Sequence, residues 1–167
     1  MQATTNSQVL GPDGGESVLV GGLGVRFMVD SERAGGGFSL VEHPIAPRAL
    51  AAPLHRHANE DEYSYVLEGR VGAQLGDEVV EAGPGELVFK PRNQWHAFWN
   101  AGDEPARVLE IISPAGFEKY FEEIAPLLPP AREEPDFEAL AEVRARYDLE
   151  MDTDSIGPLV EHHGLRF

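Results

Sequence analysis

Residues 53–69 read PLHRHANEDEYSYVLEG. His55 and His57 stand two residues apart, and in a β-strand alternate side chains share a face, so both imidazoles point to one side. A run of acids follows, Glu60, Asp61 and Glu62, and then an aromatic–aliphatic stretch that closes on Gly69. Two imidazoles aimed at one spot, with carboxylates close behind, look like half of a metal site. Glu62 lies at an odd offset from His57, so a bulge or tight turn through residues 58–61 is needed to bring it back to the same side. The stretch after it has two faces, with Glu62, Ser64 and Val66 on one and Tyr63, Tyr65 and Leu67 on the other. A strand with apolar groups on both faces usually has both covered, here by a second subunit or by the chain's own helices.

Working outward, the region from about residue 17 to 113 is a series of short apolar runs punctuated by glycine and proline. SVLV (17–20), VRFMV (25–29), FSLVE (38–42), RVGAQL (70–75), EVVEA (78–82), ELVFK (86–90), WHAFW (95–99) and RVLEII (107–112) all read as strands. Their spacing and intervening turn signals indicate an all-β, antiparallel sandwich or barrel, and the lack of strand–helix alternation argues against a parallel α/β sheet. Beyond Ser113 the period changes. Phe117, Tyr120, Phe121 and Ile124 fall on one helical stripe, and Phe137, Leu140, Val143 and Tyr147 on another, separated by the pair Pro129-Pro130. A last short helical turn is expected to end at Gly164. The stripes need a partner, so the organisation expected is a barrel over 9–113 with a flexible lead at 1–8 and a helical extension over 114–167. That extension would pack on the barrel or on a partner subunit.

The missing half of the metal site lies in GPGELVFKPRNQWHAFWN (83–100), where Gly85, Pro91, Asn93, His96 and Asn100 follow one another at fixed intervals. With this stretch beside the first, the chain resembles the cupin superfamily, whose two motifs run G-x5-H-x-H-x(3,4)-E-x6-G and G-x5-P-x-G-x2-H-x3-N. Every ligand position of the motifs is filled, by His55, His57, Glu62 and His96. Two positions depart: Ala49 stands where the first motif begins with glycine, and Asn93 replaces the glycine before His96. Asparagine tolerates the left-handed conformation better than most residues. Neither departure touches a ligand. The likeness extends over about residues 9–125 and is similar to single-barrel, quercetin-dioxygenase-like cupins.

The resemblance implies a conical antiparallel β-barrel of the jelly-roll kind, C-terminal α-helices, and four side chains converging on one divalent transition metal. Three imidazoles and one carboxylate suit iron, manganese, nickel, cobalt, copper or zinc. The first functional expectation is a metal-dependent dioxygenase that binds an enolisable or flavonol-like small molecule beside O₂, with Glu62 accepting the substrate proton. The alternatives are a non-oxidative lyase, isomerase or cyclase acting on a small carbonyl or polyketide-like substrate, and a non-catalytic small-molecule binder. Val66, Phe89, Trp95, Phe98 and Trp99 are the expected pocket residues. His43, His162 and His163 fit neither motif and are expected at the surface or in the tail. Resemblance and two-faced strands together point to a homodimer.

Composition narrows the partners. The 29 acidic and 13 basic residues give a formal net charge of −16, which disfavours nucleic acid and anionic membrane surfaces. The chain has no cysteine, so disulfides, thiolate ligands and a cysteine nucleophile are excluded. There is no Gly-x-Ser-x-Gly for a serine triad. The first residues carry neither a basic start nor an apolar stretch, and a cytoplasmic location is the default expectation.

Overall fold

Inner and outer parity along each strand decides where the chemistry of this chain sits. A computed structural model describes residues 9–128 and 135–167; the lead at 1–8 and the pair Pro129-Pro130 lie outside the described residues. Strands β1 (Ser17–Val20), β2 (Leu23–Val29), β3 (Ser39–Ile45), β4 (Leu50–His57), β5 (Asp61–Glu68), β6 (Val71–Leu75), β7 (Glu78–Ala82), β8 (Leu87–Lys90), β9 (His96–Asn100) and β10 (Ala106–Ser113) come first. Helix α1 (Glu118–Ile124), helix α2 (Phe137–Arg146), strand β11 (Leu149–Met151) and helix α3 (Ile156–His163) follow. The strands form a six-stranded sheet in the order β1-β2-β3-β10-β5-β8 and a five-stranded sheet in the order β11-β4-β9-β6-β7. All neighbours are antiparallel. The all-β barrel with C-terminal helices expected from the sequence is the observed architecture.

The inner faces of both sheets share one core. Val41, Ile45, Val66, Val88, Val108 and Ile112 come from the larger sheet, and Val71, Ala73 and Phe98 from the smaller. The regular alternation of β10, buried at Ala106, Val108, Glu110 and Ile112, is what one buried sheet face requires. Two glycines are fixed by space. Gly69 turns with φ +77, where a side chain would meet Ala106 at 2.8 Å, and a Cβ at Gly72 would lie 2.2 Å from the Trp99 indole.

The expected stripe of α1 is buried as read: Tyr120, Phe121 and Ile124 join Phe117 in the barrel core. In α2 the stripe is buried at Leu140 and Val143, whereas Phe137 in the first turn is exposed. Asp136 caps that helix by accepting from the Ala139 amide at 3.0 Å. The C-terminal turn expected before Gly164 is longer than one turn, running as α3 from Ile156 to His163 and closing on Gly164 at φ +63. A second apolar cluster, Leu50, Ala97, Trp99, Leu159 and Leu165, fastens α3 to the outer face of the smaller sheet. Strand β11 adds to the outer edge of β4, pairing Leu149 with His57 and Met151 with His55. Among the described residues no helix is long and apolar enough to cross a membrane.

Candidate metal centre

The two sequence stretches meet because β4 and β9 are hydrogen-bonded neighbours. His55 on β4 pairs directly with His96 on β9, and their ring centroids are 4.1 Å apart. His57 lies two residues along the same inner face, its ring centroid 5.1 Å from that of His55. After His57 the chain bends through residues 58–60 and leaves the smaller sheet for β5 of the larger one. That bend resets the parity and aims Glu62 back at the imidazoles from the opposite wall. Asn93 holds the left-handed conformation at φ +64, and its amide donates to the His57 carbonyl at 2.7 Å. The asparagine that replaces glycine therefore adopts the backbone a glycine would, and it ties the loop before His96 to the strand carrying His57.

One donor atom from each of His55, His57, Glu62 and His96 lies within 4.8 Å of the other three, and all four residues are buried. His55 Nδ1 sits 2.7 Å from the Pro53 carbonyl and His96 Nδ1 3.0 Å from the Gln94 carbonyl. A carbonyl only accepts, so each Nδ1 carries the proton and each Nε2 is left as a lone pair. Burial and the neighbouring imidazoles hold His55 well below the usual histidine range. Burial also lowers His96, against the pull of Glu62. Burial works to raise Glu62, but Lys90, His57 and His96 outweigh it and keep the carboxyl well below its usual range. Neutral imidazoles with an ionised carboxylate are the protonation states that metal binding needs.

Two of the inward nitrogens also lack other partners. His57 Nε2 and His96 Nε2 are buried without a hydrogen bond, and Glu62 Oε2 beside them meets the Lys90 ammonium. Buried polar atoms are rarely left so, and a divalent ion at the point where they converge would satisfy them together. The cluster is able to hold one divalent metal, and the donor chemistry fits a transition ion.

The walls around it contain groups the sequence motifs did not mark. Lys90 on β8, 1% exposed, places Nζ 2.9 Å from Glu62 Oε2 and 3.1 Å from Glu110 Oε1. Its ammonium lies 4.5 Å from the centroid of the Phe98 ring. Glu110 in turn accepts from Ser64 Oγ at 2.6 Å. Burial pushes the Glu110 carboxyl up to about 7, against the pull of Lys90. Burial opposes the Lys90 charge as well, yet Glu110 and Glu62 outweigh it and its pKa is raised. His43, expected at the surface, is instead 2% exposed on the inner face of β3. Its Nδ1 lies 2.9 Å from the Gly24 carbonyl, and burial lowers its pKa to about 4. The correction follows from parity, since His43 alternates with Val41 and Ile45, both buried. His162 is exposed, and His163 stacks on Trp99 with 4.2 Å between ring centroids.

The five expected pocket residues separate in the same way. Val66 and Phe98 face inward, Phe98 beside Lys90. Phe89 is 45% exposed and stacks on Tyr63, because Val88 and Lys90 take the inner positions of β8. Trp99 points outward against α3, since His96, Phe98 and Asn100 occupy the inner parity of β9. Trp95 is half-buried with the Arg56 guanidinium 5.1 Å from its ring centroid. The aromatic wall beside the cluster comes instead from Phe117, just before α1, whose ring centroid is 4.3 Å from that of His57.

Residues 42–112 match the family model described as "Cupin domain". A 60-residue stretch is 38% identical to the tetracenomycin polyketide synthase protein TcmJ of Streptomyces glaucescens, covering 36% of this chain and 40% of that protein. Another 60-residue match, at 35% identity, is to the polyketide synthase CurC of Streptomyces cyaneus, covering 36% and 39%. The chain thus spans about two fifths of the length of these relatives. Among solved structures, the polyketide cyclase RemF from Streptomyces resistomycificus superposes with a TM-score of 0.57 at 26% identity, covering 64% of this chain and 78% of that one. Fold and family match together support the cupin superfamily for the barrel.

Proposed function

We propose that this cupin barrel holds one divalent transition metal on His55, His57, Glu62 and His96 and uses it for non-oxidative chemistry on a small enolisable carbonyl compound. The substrate class we favour is polyketide-like, and the reaction class is cyclisation or a related dehydration or isomerisation. The observation that carries this reading is the convergence of three imidazoles and one carboxylate, all buried, inside the barrel, with His57 Nε2 and His96 Nε2 left without a hydrogen bond. The likeness to TcmJ, CurC and RemF supports the substrate class.

A bound divalent metal would supply Lewis-acid stabilisation of the negative charge that develops on a substrate carbonyl oxygen when the adjacent carbon loses its proton. Glu62 is the carboxylate placed to accept that proton. His55 and His96 keep their Nε2 atoms turned inward through the Pro53 and Gln94 carbonyls. Phe98 and Phe117 line the site with apolar surface, which excludes water from the ionised intermediate and strengthens each charge interaction within it. Folding the substrate against those rings brings its second carbonyl to the nucleophilic carbon, the proximity term that a cyclisation needs.

The dioxygenase expected from the sequence is the second reading, because three imidazoles and a carboxylate also suit iron, nickel or copper. The two readings separate on oxygen. Protein loaded separately with zinc and with iron(II) is incubated with an aromatic-forming poly-β-ketone under nitrogen and under air, and product is followed by chromatography together with oxygen uptake. Equal turnover without oxygen uptake supports the non-oxidative reaction. Turnover that stops under nitrogen overturns it in favour of the dioxygenase.

A further inference from the structure

The wall facing the histidines carries one cation and two carboxylates. Lys90 Nζ lies 2.9 Å from Glu62 Oε2 and 3.1 Å from Glu110 Oε1. Glu110 is anchored by Ser64 at 2.6 Å, and Lys90 and Glu110 are each 1% exposed. The register explains the meeting: Lys90 is opposite Glu62 across β8 and β5, and Glu110 is opposite Ser64 across β10 and β5. Glu62 is therefore addressed from two sides. On one side His57 Nε2 stands 3.5 Å from Oε1 and His96 Nε2 3.3 Å from Oε2. On the other side the ammonium takes Oε2 at the shorter distance.

We infer that Lys90 is a positioning residue that competes with the metal for Glu62, making Glu62 a detachable fourth ligand while the three histidines remain the permanent ones. The inference rests on the reading that the cluster holds a divalent metal. Its physical basis is the doubled carboxylate. With Glu62 turned to the metal, Lys90 still has Glu110, so no buried cation is stranded. With Glu62 turned to Lys90, the carboxylate keeps a counter-ion away from the metal. Each arrangement leaves both Lys90 and Glu62 beside an opposite charge, the condition under which buried side-chain ions are tolerated. A four-coordinate site closed by a committed glutamate has no room for a substrate oxygen, whereas a glutamate that can leave opens one position. The same departure frees a carboxylate to receive the substrate proton.

The test uses cobalt(II) as the probe metal on the full chain, with Lys90→Met and Glu110→Gln. Affinity is read by competition with a chelator and coordination number by the visible absorption of bound cobalt. Lys90→Met is expected to commit Glu62 to the metal, tightening cobalt on the order of tenfold, the scale of outer-shell effects, and shifting the spectrum toward higher coordination. Glu110→Gln leaves Lys90 with Glu62 alone and is expected to move both readouts the opposite way. A purely structural role cannot give opposite signs. Should Lys90→Met fail to fold, the double variant Lys90→Met/Glu110→Gln removes the buried pair together, and it should retain the high-coordination spectrum. Unchanged spectra, or weaker binding in both single variants, overturn the inference and leave the metal reading standing. A wild-type protein that takes up no cobalt overturns both.

Discussion

Strands β5 and β8 are polar inside and aromatic outside, the reverse of an ordinary surface sheet. Their inner faces carry Glu62, Ser64 and Lys90 at 4% exposure or less. Their outer faces carry Tyr63, Tyr65, Leu87 and Phe89, of which the last three are exposed by 41%, 54% and 45%. The register puts Tyr63 opposite Phe89 and Tyr65 opposite Leu87, so the outer residues form one apolar patch at the open edge of the larger sheet. Burying charge is costly without a reason in chemistry, and exposing aromatics in a contiguous patch points to a covering partner. The two faces of this strand pair thus carry two separate proposals, a site within and a contact without.

The comparison breaks most severely at the candidate ligands. His96→Ala and Glu62→Ala should each abolish co-purifying metal, measured by mass spectrometry on protein made without an affinity tag. The loss should exceed the roughly 10–100-fold that outer partners of a metal site are worth. Full metal content in both variants would remove the chemical reason for the polar interior.

Next in size is the buried charge network. Glu110→Leu leaves Lys90 with a single partner and should cost about 3 kcal/mol in urea unfolding, the range for breaking a buried pair on one side. Lys90→Met combined with Glu110→Leu should recover most of that loss, because neither charge is then stranded.

The interior also predicts a pH dependence. The unfolded His43 imidazole takes a proton below about 6.5, whereas the folded one, held low by burial, does so only near about 4. The stability that its neutral burial represents is therefore complete above pH 6.5 and is lost as pH falls toward 4, by at most about 3 kcal/mol. Glu110 acts in the opposite sense: pushed up to about 7, it keeps its proton in the folded chain where the unfolded chain has lost it. Raising the pH from about 4.5 to 7 costs that contribution. Urea midpoints at several pH values should accordingly show a flatter acid limb in His43→Gln than in the wild type. An identical acid limb would place the titration elsewhere.

The smallest effect on folding belongs to the outer face. Phe89→Asp should change monomer stability by no more than about 0.5 kcal/mol, as surface substitutions do, and should leave metal content untouched. In sedimentation it should convert the homodimer expected from the sequence into a monomer. A wild-type protein that already sediments as a monomer removes the second copy as the cover of this face.

The candidate ligands were legible because they are spaced. His55, His57, Glu62 and His96 sit among glycine and proline at fixed intervals, and a turn between residues 58 and 61 was the one requirement for Glu62 to join them. Lys90, Glu110 and Ser64 have no such spacing; each occupies an ordinary strand position and meets the others only through pairing across β8, β5 and β10. A signal was nonetheless present, since Glu110 interrupts the apolar run RVLEII with an acid at a core parity. His43 carried the same signal between Val41 and Ile45. Phe89 and Trp99 were misplaced because size was weighed above parity: Trp99 alternates with Ala97, not with His96. Helix stripes were read correctly where they dock, at α1, and less well at Phe137, where the first turn of α2 faces solvent.

The attachment of β11 has a consequence for biosynthesis. Without it, β4 is the outermost strand of its sheet, and β4 is the strand that carries His55 and His57. Its edge stays open on the ribosome until residues 149–151 emerge, and the Ala49–Arg166 bridge that holds its beginning closes later still. An unpaired edge of that kind recruits strands from neighbouring chains. A nascent chain stalled after Ser113 would thus hold all four candidate ligand residues yet leave that edge open to self-association, which the C-terminal extension closes in cis.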